Sequence, residues 1–309
     1  MFPARSDSSR PPPPGWSPAP GRQPTCRVRC VVAVITSTAM AAAAVAASTR
    51  SPSSNADHSR IRTGWAGARL VYCQPAFANP TGVVMPPRRR AAVLDVVRAA
   101  GAFLLEDDFA RLLPLTAEPP PPMVRDDPDG HVVYVTSLTK AAAPSLRIGA
   151  LIARGPAAAR LRAIRTVDDL FVPAPMQEAA VELLSSAAWP RHLAALRRAL
   201  TARRDALLRA LAGSDLPVRV TRVPAGGLHV WLRLPDEVDD RELARACAQR
   251  GLRVTPGTPC HPGEPPGSFL RLTYSGETPE RLVAGVDLFR AVWAERFRRP
   301  AHGSGRMNR

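Results

Sequence analysis

Four short, nearly continuous apolar runs restrict what this chain can fold into: LVYCQ (residues 70–74), AFLLEDD (102–108), HVVYVTS (131–137) and IGALIA (148–153). Runs of this length, rich in Val, Leu and Ile, suit strands covered on both faces. Between the first two lies PPRRRAAVLDVVRAAG (86–101), with proline at its start, apolar residues at helical spacing and glycine at its end, which reads as a helix. Strands alternating with helices predict an α/β fold whose larger part is a mostly parallel sheet. Residues 175–213 read as helical, with a break at Trp189-Pro190 because proline disfavours helix in the residue before it. Beyond them, VRVTRV, LHVWLRL and SFLRLTY read as strands, with helices at 239–250 and near 278–298, giving a smaller α+β unit. The expected organisation is a large domain at 70–173, interdomain helices at 174–213 and a small domain at 214–298. A Pro/Ala/Arg-rich extension (1–69) and a basic tail (299–309) flank them.

The flanks are expected to be disordered, because residues 1–30 (with RPPPPGWSPAPGRQP) carry too little apolar surface to fold alone. Residues 31–48 (VVAVITSTAMAAAAVAAS) resemble a signal or anchor segment, but the stretch before them is long for a signal and their Ala, Ser and Thr make them weakly apolar. The flanks also hold most of the excess charge. The formal net charge is +16, yet residues 1–70 contribute nine arginines against two aspartates, and 299–309 add three arginines and no acid. No zinc-finger spacing, aromatic RNA-binding strand or helix-turn-helix pattern accompanies that charge, so nucleic-acid binding by this chain alone is not expected. A polytopic membrane protein is excluded for want of long apolar spans. Cysteines 26, 30, 73, 247 and 260 form no CxxC pair, which argues against a zinc site and for a reducing, cytoplasmic compartment.

Among 42 Lys and Arg residues, Lys140 is the only lysine. Arginine can replace lysine where only positive charge is needed. It cannot do so where a neutral amine must attack a carbonyl, because the guanidinium stays protonated. Lys140 closes HVVYVTSLTK, where a strand end beside hydroxyls can desolvate an amine and favour its nucleophilic form. Other features fall on the same predicted rim, where ligands bind in open α/β sheets. Asn79-Pro80-Thr81-Gly82 follows the first run; by itself it reads as an ordinary turn. Glu106-Asp107-Asp108 closes the second; by itself it reads as a solvated strand end, and buried it would need cations. Ser137 and Arg147 flank Lys140 and together could grip a phosphate.

NPTG, then EDDF, then SLTKAAAPSLRIG, in this order and spacing, resembles the fold type I, class I/II aminotransferases that use pyridoxal 5'-phosphate (PLP). The likeness is greatest to the aminotransferase-like domain of MocR/GntR-type regulators and runs from about Val71 to Phe297. It implies a Schiff base between Lys140 and PLP, with Lys140 then carrying the Cα proton. It also implies Asp107 on the pyridine nitrogen, Asn79 on the phenolic oxygen, Ser137 and Arg147 on the phosphate, and Arg271 on the substrate carboxylate. No metal is implied. The implied partners are amino acid and 2-oxo acid substrates and a second copy of the chain in a homodimer. The alternative is a non-catalytic domain that senses PLP and an amino acid within a MocR-type regulator. Gly226-Gly227-Leu228-His229 resembles the family's small-domain glycine turn, with His229 expected to be structural. Phe109 stands where the family usually has a tyrosine, which removes one hydrogen bond to the phenolic oxygen. Family members also carry a further part of the large domain before NPTG, including a helix N-terminus for the phosphate and a ring that stacks on the pyridine. Residues 1–69 show no such pattern. The resemblance therefore implies a truncated large domain, a reduced cofactor cradle and sheet strands left open to aggregation.

Overall fold

The computed structural model describes residues 68–168, 172–261 and 263–297. The extension before residue 68, the apolar stretch at 31–48 and the tail after 297 lie outside the described residues. Strands β1 (Leu70–Cys73), β2 (Phe103–Asp107), β3 (Val132–Ser137) and β4 (Gly149–Ile152) form one sheet in that order. β1, β2 and β3 are parallel, while β4 runs antiparallel to β3. The last connection is short, so the chain turns back on itself instead of crossing over.

Helix α1 (Pro87–Ala99) makes the crossover from β1 to β2 and starts on proline, as its sequence predicts. Val93, Leu94 and Val97 pack it on Val71, Leu104 and Val132. The crossover from β2 to β3 holds no α-helix. Pro119–Pro122 prevent one, and only a 3-10 turn at Met123–Asp126 follows them. Helix α2 (Gly155–Asp168) covers the opposite face, setting Ala157 and Ala158 against Val133, Val135 and Leu151. The 175–213 pattern did not extend to this helix.

Helices α3 (Ala174–Ser185) and α4 (Ala188–Ala212) follow, broken just before Trp189-Pro190. Pro190 sits in the first turn of α4, where its missing N–H costs nothing. The second sheet is antiparallel, ordered β5 (Arg219–Val220), β6 (His229–Arg233), β8 (Phe269–Thr273) and β7 (Thr255–Pro256). VRVTRV yields only a two-residue strand; Thr221 N still donates to Trp231 O in the same register, and Pro224 then follows. Helix α5 (Asp240–Gln249) and helix α6 (Pro279–Arg296) complete the largest core, in which Val230, Leu232 and Leu270 meet Leu207, Leu243, Phe289 and Trp293. The two sheets are fastened by a bridge between Pro114 and Gly226 and by Leu115 N–H on Ala225 O.

Candidate active site

Strand alternation separates the three consecutive acids at the end of β2. Glu106 points to the α1 face and is fully buried. Its carboxylate accepts from Met123 N (2.9 Å) and Val124 N (3.2 Å), with Arg90 Nη1 3.9 Å away. Burial is the main cause that holds its pKa above the ordinary value, against the backbone hydrogen bonds. Asp108 is also fully buried and ion-paired with Arg111, and burial raises its pKa too. The EDD cluster is therefore not a solvated strand end, and cations do meet two of its members. Asp107 points to the other face, beyond its register partner Val135 at the strand's C-terminal end.

Asp107 Oδ2 accepts two hydrogen bonds, from Tyr72 Oη (2.6 Å) and Gln74 Nε2 (2.8 Å). Gln74 Nε2 also donates to Tyr72 Oη at 2.9 Å, and Gln74 Oε1 accepts from Asn79 N at 2.9 Å. Asn79 begins the NPTG turn, where the Asn79-Pro80 peptide is cis and Gly82 adopts φ +68°, a region glycine enters freely. Asn79 Oδ1 accepts from Arg271 Nη1 (2.9 Å), and Arg271 Nη2 reaches Thr255 Oγ1 (3.4 Å) on the adjacent β7. One chain of hydrogen bonds thus joins Tyr72, Asp107, Gln74, Asn79 and Arg271 across both sheets.

The β3–β4 turn carries the other candidates. Ser137 Oγ accepts from Thr139 N (3.1 Å) and lies 2.8 Å from Thr139 Oγ1 and 3.3 Å from Ile148 O. Leu138 N donates to Ile148 O, which brings Ser137 and Arg147 to the same turn. Arg147 is exposed and left-handed, with φ +53°, uncommon for a residue with a Cβ. Lys140, in the turn just past the end of β3, is exposed rather than desolvated. Its loop is anchored from below by buried Ala141, whose carbonyl lies 2.7 Å from His192 Nε2 of α4.

His229 begins β6 and is half-buried. Burial first, and then the charges of Arg271 and Lys140, depress its pKa to about 4. Its buried Nδ1 has no hydrogen-bond partner among the described residues. Phe109 packs half-buried beside Phe77 and Ala110 and offers no hydroxyl. Tyr72 and Gln74 were not foreseen as site residues. Their only signal was position, since alternate residues of one strand share a face and Cys73 opposite Glu106 sets Gln74 beside Asp107.

A model of the family "Aminotransferase class I and II" matches residues 68–287. Among curated proteins, the chain is 32% identical over 220 residues to the uncharacterized HTH-type transcriptional regulator YisV of Bacillus subtilis (strain 168), covering 71% of this chain and 45% of that protein. It is 32% identical to the (S)-3,5-dihydroxyphenylglycine transaminase of Amycolatopsis orientalis, covering 75% and 55%. Among solved structures, the α-aminoadipate aminotransferase LysN of Thermus thermophilus, complexed with N-(5'-phosphopyridoxyl)-L-leucine, superposes with a TM-score of 0.71 at 28% identity, covering 77% of this chain and 62% of that one. The chain spans about half the length of the curated relatives it matches.

Proposed function

Because the chain belongs to the family of class I and II aminotransferases, we propose that it serves the PLP-dependent transfer of an amino group between an amino acid and a 2-oxo acid. Its α/β fold is a partial fold type I PLP-transferase fold. The observation that most supports the proposed activity is the hydrogen-bond chain that runs from Asp107 through Gln74 and Asn79 to Arg271, beside a His229 that feels the charges of both Arg271 and the chain's only lysine, Lys140.

The donor set suits the cofactor. Lys140 offers the amine and Asp107 an oxygen, Oδ1, to which no described residue donates. Asn79 offers an amide, while Ser137 and Arg147 offer a hydroxyl and a guanidinium on one turn. When bound, PLP supplies an aldehyde carbon for the amino group and a ring that accepts the electrons of the broken Cα–H bond. Lys140 Nζ would hold the aldehyde end and would take up and return the proton at the substrate Cα. Asp107 would hold the ring nitrogen and favour its protonated form. Arg271 exchanges two neutral oxygens, on Asn79 and Thr255, for the two charged oxygens of the substrate carboxylate, the stronger bidentate pairing. His229, neutral near pH 7 because burial and the two cations depress it, adds no further positive charge beside that carboxylate. A homodimer, a cytoplasmic location and the division at residues 173 and 213 belong to the same proposal.

Reductive trapping tests it. Borohydride treatment of PLP-loaded protein should leave a pyridoxyl adduct on the Lys140 peptide that Lys140→Ala abolishes. An adduct confined to the amino terminus, or none, overturns the reading. The 30% and 32% likeness to two HTH-type regulators supports a second reading, a domain that binds PLP and an amino acid without turnover. It predicts the same adduct with no amino transfer to any 2-oxo acid in a panel.

A further inference from the structure

Gln74 lies one residue past β1, and both ends of its amide are engaged. Oε1 accepts from Asn79 N, and the two N–H groups serve Asp107 Oδ2 and Tyr72 Oη. Tyr72 accepts from Gln74 and donates to Asp107, so Gln74 also dictates which way the phenol hydrogen points. We propose that Gln74 is a positioning residue that locks Asp107 and the Asn79 turn into one rigid unit. It thereby sets the separation between the carboxylate meant for the ring nitrogen and the amide meant for the phenolic oxygen. The inference rests on the proposed PLP site, whose ring both groups would hold.

A space-filling role would need none of these bonds. A glutamine held at both ends loses rotamer freedom that an apolar side chain of similar size would not need to spend on polar geometry. Its two ends also serve different segments, β2 and the loop after β1. No other described side chain hydrogen-bonds to both Asp107 and Asn79. Tyr72 supports the arrangement from below, since burial and then the charge of Asp107 push its pKa far up and keep the phenol a donor.

The test uses the full chain as wild type, Gln74→Leu, Gln74→Met and Tyr72→Phe. Three quantities are read: the urea midpoint without PLP, the PLP dissociation constant by fluorescence quenching, and the induced circular dichroism of bound PLP, which reports ring orientation. Both Gln74 variants should keep the wild-type urea midpoint, bind PLP about tenfold more weakly and lose much of the induced signal. Tyr72→Phe should act in the same direction, and Gln74→Leu with Tyr72→Phe should cost less than the sum because both donors serve one oxygen. Wild-type affinity and induced signal in both Gln74 variants overturn the inference and leave the proposed function standing. A weakening that tracks a lowered urea midpoint, with the induced signal intact, also overturns it. Failure of the wild type to bind PLP overturns the proposed function itself, and this inference with it.

Discussion

Glu106, Asp107 and Asp108 show how far one residue's shift in a strand changes an acid's task. Glu106 is buried with Arg90, whose guanidinium also donates to Met85 O, Pro121 O and Pro75 O. Glu106→Ala strips two backbone N–H groups of their acceptor and leaves a buried cation without its carboxylate. It should destabilise the fold by about 3 kcal/mol, read from the urea midpoint. The exposed pair Arg281–Glu277 is the contrast: Glu277→Ala should cost less than about 1 kcal/mol. His229 gives a pH test. Its folded pKa, about 4, lies below its ordinary 6.5, so between these values the unfolded chain binds more protons. Its contribution is complete above pH 6.5 and is lost as pH falls toward 4. Glu106 and Asp108, raised by burial, act in the opposite sense. The His229 part is therefore the difference between wild type and His229→Gln, which should grow with pH across that window and then stay flat. A difference that is level throughout would show that His229 does not titrate as its surroundings dictate.

Elements with a strong local signal were legible, and those set by pairing were not. Helix α1 could be read from Pro86-Pro87 and its apolar spacing, and α5 from Asp239, whose side chain caps it by accepting from Arg241 N and Glu242 N. Strand β7 has two residues and exists only because Thr255 finds Arg271 across the sheet, a long-range event without local pattern. In the site, Lys140 stood out by rarity and Arg271 by its place in the motif. Gln74 and Tyr72 became visible only once the register set β1 beside β2. The glycine turn makes the same point, since its reason lies elsewhere in the chain. A Cβ on Gly226 would collide with the Phe77 ring and come within 2.7 Å of Leu113 O. Gly226→Ala should therefore prise apart the fastening between the sheets and lower stability by about 2 kcal/mol. Gly276→Ala, with nothing within 4 Å of its Cβ, should change little. Asp240 ties α5 to the 256–258 turn through Gly257 N and Thr258 N. It is buried for that reason, a role at which nothing in its local sequence hints.

At the scale of the whole molecule, one helix is out of balance with its surroundings. Ala180 is the only buried residue of α3, while Met176, Val181 and Leu184 are exposed, as are Ile164 and Val167 on α2. An exposed apolar helix on a protein this size marks a contact surface more often than a free one. The proposed homodimer supplies an occupant of matching chemistry, since a two-fold pair places the same apolar residues on both sides. Val181→Glu with Leu184→Glu introduces charges that a solvated monomer tolerates and a closed interface does not. Sedimentation equilibrium of the variant should show the dimer dissociation constant raised at least about a hundredfold, with far-ultraviolet circular dichroism unchanged, because neither side chain lies in the core. A wild type that is monomeric at every concentration removes the homodimer. A variant as dimeric as the wild type moves the interface off α3. If the mixed sheet's outer strands caused the association instead, charge on α3 would leave it intact while Leu70→Lys, at an exposed position of β1, the outermost strand of that sheet among the described residues, would weaken it.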